Sequence, residues 1–135
     1  MALFADAWMA KLFPLFIRAL VSSKTLEEAT AAGAELNAGI AAHMEPLLAG
    51  AAPFFGGSQT LTMAEVLIAP FAIRLLTLAP AGVIPASTIE GLEAKAPSFY
   101  RWATAVSEHP SVRTVWVKWN GVEATRERVV PMRSW

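Results

Sequence analysis

A chain of 135 residues and 14.5 kDa is one ordinary domain, long enough to bury roughly two thirds of the surface its unfolded form exposes. It has no cysteine and only two histidines, His43 and His109, which excludes a disulfide, a thiolate zinc site, an iron–sulfur cluster and a cysteine nucleophile, and argues against a metal centre. Eleven basic residues balance eleven acidic ones, so no electrostatic footprint for nucleic acid or an anionic membrane is present.

The apolar share of 55% against 16% charged exceeds the ~45–50% and ~25% of an average soluble domain. Residues 2–21 carry Asp6, Lys11 and Arg18, and residues 63–84 carry Glu65 and Arg74, so neither stretch suits a membrane span. The excess is therefore assigned to a deep core plus an exposed apolar face that meets a partner or a ligand.

The periodicity is helical throughout. Residues 3–21 place Phe4, Trp8, Leu12, Leu15/Phe16 and Leu20 on one helix, with Pro14 expected to bend it. Thr25-Leu26-Glu27-Glu28 reads as a capping box that opens a second, alanine-rich helix. Leu36, Ile40, Met44 and Leu47 form its stripe, and it is expected to stop near Gly50. After the glycine-containing loop 52–58, Thr62 and Glu65 form another capping box, flanked by Leu61 and Val66 at the positions of a hydrophobic staple. The helix that follows, 63 to about 78, is apolar on all sides, as expected of the middle of a bundle, with a kink expected at Pro70. Residues 87–95, 97–108 and 111–119 read as three further helices, the last two introduced by Pro97 and Pro110. The tail 120–135 is expected to pack on the surface as an extension or to stay mobile.

Three segments, in this order, resemble the C-terminal helical domain of the glutathione transferases. FADAWM (4–9) looks like the start of that domain's first helix. FFGGSQTLTMAEVLIAPFAIRLL (54–76) resembles the segment around its central buried helix, with the family's usual aspartate replaced by Glu65. PSFYRWATAVSEHPSVRTV (97–115) is similar to its closing segment. The resemblance covers residues 1–119 and implies an all-α bundle of about five to six helices. The family's N-terminal thioredoxin-like domain, which holds glutathione, is not seen here: no βαβ pattern is present. Glutathione is therefore implied as a cofactor only if such a domain is supplied separately.

The resemblance also implies an apolar co-substrate pocket along the first and central helices. Trp8, Phe13, Phe16 and Ile17 are its candidate lining, and Arg18, Arg74 and Tyr100 its candidate polar anchors. Asp6 matches the family position whose carboxylate reaches glutathione on a neighbouring subunit. Each has a plainer alternative: the aromatics as core, the arginines as snorkelling or salt-bridged side chains, Asp6 as a first-turn acid. Trp116, Trp119 and Trp135 are read as cover for the bundle. No residue is assigned as nucleophile or proton donor.

Three functions follow as expectations. The first is a stand-alone domain that binds a hydrophobic small molecule, with or without a glutathione-independent rearrangement or cyclisation. The second is the helical half of a glutathione-conjugating transferase, and the third a protein-association module. A homodimer is expected in each, to cover the apolar excess. With no signal-peptide pattern, no cysteine and no spanning segment, the expected compartment is the cytosol.

Overall fold

The computed structural model describes residues 2–135; Met1 lies outside the described residues. Among these the fold is all-helical, without strands. Its seven helices are α1 (residues 2–22), α2 (Leu26–His43), α3 (Met63–Leu78), α4 (Ala86–Lys95), α5 (Pro97–Glu108), α6 (Pro110–Lys118) and α7 (Gly121–Val129). None of the described helices is long and apolar enough to cross a membrane. The seventh exceeds the expected five or six because residues 121–129 of the tail are helical.

α1 buries Phe4, Trp8, Leu12, Phe16 and Leu20, one residue in every four. A regular α-helix turns through about 100° per residue, so a strict four-residue repeat would drift about 40° per step and carry Leu20 to the face opposite Phe4. The structure cancels this drift. Trp8–Leu12 and Arg18–Ser22 are π-type turns, in which the amide of Phe13 donates to the Trp8 carbonyl and that of Ser23 to the Arg18 carbonyl, five residues back. The wider turns raise the average repeat towards four and keep the stripe on one face. The first also lies just before Pro14, where the ring removes a donor and crowds the preceding carbonyls.

α2 ends at His43 rather than near Gly50 because Pro46 cannot continue it; Glu45–Leu48 follow as a single tighter turn. Its N-terminus also departs from the expected box. Thr25 Oγ1 accepts from the Glu28 amide at 3.1 Å, but the Glu28 carboxylate returns to the Lys24 amide at 3.0 Å, one residue before the cap. α2 packs closely on α4 through small residues: a Cβ on Gly33 would lie 2.6 Å from Thr88 Oγ1, and the Asn37 amide group donates to the Thr88 carbonyl at 2.8 Å.

Ala96 gives α5 no capping side chain, yet its N-terminus is satisfied. Glu45, from the turn after α2, accepts from the Ser98 amide at 2.7 Å and the Phe99 amide at 2.8 Å. A carboxylate there also complements the positive end of the helix dipole.

The second expected box closes. Thr62 Oγ1 accepts from the Ala64 amide at 3.2 Å, and Glu65 Oε1 accepts from the Thr62 amide at 2.8 Å and the Thr62 hydroxyl at 2.7 Å. Glu65 does more than cap. It is fully buried, and its Oε2 accepts from the Phe55 amide at 3.0 Å and from the Trp102 indole at 2.9 Å. One carboxylate thus ties the 54–62 loop, the start of α3 and the middle of α5 together. Burying a carboxylate is tolerable only where its lone pairs are used, and here four donors use them.

Candidate functional site

α3 is apolar all round but is not encased. Met63, Val66 and Leu67 stand 57%, 55% and 48% exposed. Beside this uncovered side, a groove of about 840 Å³ opens between α3, α6 and α7, with the end of α1 at its margin.

Each wall is a helical face. From α7 come Gly121, Ala124, Thr125 and Arg128, at the i, i+3, i+4, i+7 spacing of one stripe. α6 contributes Ser111, Val112, Val115 and Trp116, with Trp119 just past its end, and α3 contributes Val66, Ala69, Pro70, Ile73 and Arg74. The groove exists because the α7 stripe is short: glycine, alanine and threonine cannot span the gap to Ala69 and Ile73.

Trp116 is held against the backbone of α7. A Cβ on Gly121 would lie 2.3 Å from its ring, so only glycine admits this approach. The preceding Asn120 takes the left-handed conformation, at φ 50°, that turns the chain from α6 into α7. The α7 end is tied down by Arg126, which donates to the Ala81 carbonyl at 2.7 Å and pairs with Glu123. Beyond it, Arg133 donates to the Leu20 carbonyl at 3.1 Å and Ser134 Oγ to the Lys24 carbonyl at 2.5 Å, so the last residues clasp the end of α1.

The charge in the groove is one-sided. Arg74 lies 5.3 Å from the centre of the Trp116 ring and donates to the Pro70 carbonyl at 2.9 Å. Its guanidinium is held below its ordinary range, first by burial and then by the like charge of Arg128. Neither arginine makes an ion pair among the described residues. The one carboxylate in the lining, Glu65, is fully committed to its four donors.

Of the eight side chains expected to meet a ligand, only Arg74 lines this groove. Trp8 and Phe16 belong to the core, at 0% and 4% exposure, in an aromatic cluster. Trp8 stacks on Phe99 with centroids 6.2 Å apart, and Phe16 meets Phe71 edge-on at 5.5 Å. Phe13 packs edge-on against Phe71 at 5.4 Å, and Ile17 and Tyr100 are half-buried against the same core. These residues are core because α5 and Phe71 cover the side of α1 that a pocket would need open. Arg18 pairs with Glu35 at 2.5 Å on the exposed surface, in line with its plainer reading as a salt-bridged side chain. Asp6 is exposed and lies outside the groove lining. Of the expected staple pair, Leu61 is half-buried and Val66 is largely exposed, both in the groove lining.

Trp116, Trp119 and Arg128 line the groove although the sequence did not single them out as ligand-binding residues. Trp119 is 71% exposed, which corrects its reading as cover for the bundle. The available signal was the small-residue stripe of α7 beside a tryptophan pair. No group of three or more potential metal-binding His, Asp or Glu side chains occurs among the described residues.

No family model, curated protein or solved structure matches this chain. A functional reading therefore rests on the groove itself.

Proposed function

We propose that the chain is a ligand-binding helical domain of the glutathione transferase C-terminal type, which takes a hydrophobic small molecule in the groove between α3, α6 and α7. The observation that carries this reading is the groove: about 840 Å³, walled by apolar and aromatic side chains with a few polar groups at set positions. That size and lining suit a small organic molecule. The capped apolar central helix, with Thr62 and Glu65 at its start, supports the family part of the reading.

Binding is favoured over catalysis by the groove's own chemistry. Of its hydroxyls, Thr125 donates to the Gly121 carbonyl, and the histidine next to Ser111, His109, accepts from the Ser111 amide at 3.2 Å rather than from its hydroxyl; its one carboxylate is already fully hydrogen-bonded. Nor do these residues assemble a glutathione site, since Asp6 stands apart from the groove. A second reading, the helical half of a conjugating transferase, is favoured by the exposed apolar residues Leu3, Met63 and Leu67, which a docked thioredoxin-like domain would cover.

The test is titration with an uncharged fluorescent naphthylamine, read by its emission. The chain is expected to bind it saturably at one site, and Ala69→Trp, which fills the groove from α3, is expected to abolish binding while the helical circular dichroism is kept. Binding unaffected by Ala69→Trp in the folded variant would move the site elsewhere.

A further inference from the structure

We infer that the groove's ligand is an amphipathic anion, whose carboxylate sits between Arg74 and Arg128 and whose apolar body lies against Trp116, Ile73 and Ala69. This rests on the groove being the ligand site. It deepens that reading by naming the charge of the occupant and the side chains that select it.

The argument is one of charge complementarity. Two guanidinium groups on facing helices line the same groove and neither is paired with a carboxylate, the one in the lining, Glu65, being held by its four donors. Like charges brought together repel, and burial of one of them adds a desolvation cost. An anion placed between them reverses both effects. The structure also positions Arg74 in advance. Its NH1 is anchored on the Pro70 carbonyl and its plane is held near the Trp116 ring, which leaves its other donors available to a ligand. A planar guanidinium offers paired N–H groups that match a carboxylate. Arg128 comes from the opposite wall on an exposed side chain with no hydrogen bond or ion pair among the described residues, so it is free to close on the same group. The other acids of α7 are separate from this pair: Glu123 is bound to Arg126, and Glu127 is exposed and outside the groove lining.

Three ligands with the same ten-carbon tail separate the possibilities: decanoate, 1-decanol and decyltrimethylammonium, each titrated calorimetrically into the full chain below its aggregation limit. Decanoate is expected to bind at least about tenfold more tightly than decanol, and the cation least, because charge-assisted hydrogen bonds are the stronger ones. The preference is expected to shrink as salt is raised. Arg128→Gln removes an exposed side chain with no protein partner, so the fold is kept. It is expected to weaken decanoate roughly tenfold and to leave decanol unchanged. Arg113→Gln, an exposed arginine of α6 outside the groove, removes the same net charge and is expected to change neither. Equal binding of decanoate and decanol, or an Arg128→Gln variant that binds decanoate as well as the parent, would overturn the inference and leave the groove reading standing. Failure of all three ligands and of the neutral probe would overturn both.

Discussion

Replacing Glu65 by glutamine keeps the side chain's length and one acceptor oxygen but swaps the other oxygen for a donor. In the structure Oε1 serves the Thr62 amide and hydroxyl, and Oε2 serves the Phe55 amide and the Trp102 indole. With its NH₂ group towards Phe55 and Trp102 two fixed donors face it; with the NH₂ towards Thr62 only the amide does, because the hydroxyl can turn and accept. The Glu65 side chain is fully buried, so at least one donor loses its partner there. A buried unsatisfied donor costs about 1–3 kcal/mol, and a loss of that size is expected, against a total stability of about 5–15 kcal/mol for a domain. For a chain of this size each kcal/mol lowers Tm by about 3–5 °C, so a fall of at least about 3 °C is expected. Urea and thermal denaturation followed by far-ultraviolet circular dichroism measure it. A double-mutant cycle with Trp102→Phe isolates the longest-range bond: Glu65→Gln and Trp102→Phe are expected to be less than additive, with a coupling of about 1 kcal/mol or more. A Glu65→Gln variant within about 0.5 kcal/mol of the parent, or strict additivity in the cycle, would refute the view that this carboxylate joins α3 to α5.

Three further substitutions probe the rest of the helical frame. Glu45→Ala leaves the Ser98 and Phe99 amides at the start of α5 uncapped and removes a charge favourable to its dipole; a loss of about 1–2 kcal/mol is expected in urea denaturation. Gly33→Ala places a methyl group 2.6 Å from Thr88 Oγ1 and is expected to cost about 1–3 kcal/mol by forcing α2 from α4. Thr88→Ala removes a buried hydroxyl that has no hydrogen-bond partner, so the Gly33→Ala/Thr88→Ala pair is expected to recover most of that loss, as thermal denaturation of the three variants would show.

α7 was not legible in the chain, whereas the first six helices, the starts at Thr62, Pro97 and Pro110, and the α1 stripe were. These are local matters. A cap is satisfied within three residues, a proline acts on its own turn, and an apolar repeat shows wherever it occurs. The Thr62–Glu65 box could be read for the same reason, whereas the Trp102 partner of Glu65, 37 residues away, could not. Pro46 is the local signal that was passed over: it ends α2 early and so brings Glu45 to the start of α5.

The tertiary arrangement alone decided which apolar side chains are core and which line a groove. Trp8 and Trp116 are the same residue type on helices of similar character. Trp8 is enclosed because Phe71 and Phe99 meet it from α3 and α5, while Trp116 borders open space because the stripe facing α3 from α7 is Gly121, Ala124 and Thr125. Helical periodicity reports that a face is apolar; it does not report the size of the side chains that another helix will bring against it. The charge of the groove follows the same rule. Arg18 and Arg74 each interrupt an apolar helix, yet one finds Glu35 across the α1–α2 contact and the other finds Trp116 and Arg128, because pairing depends on which helices become neighbours.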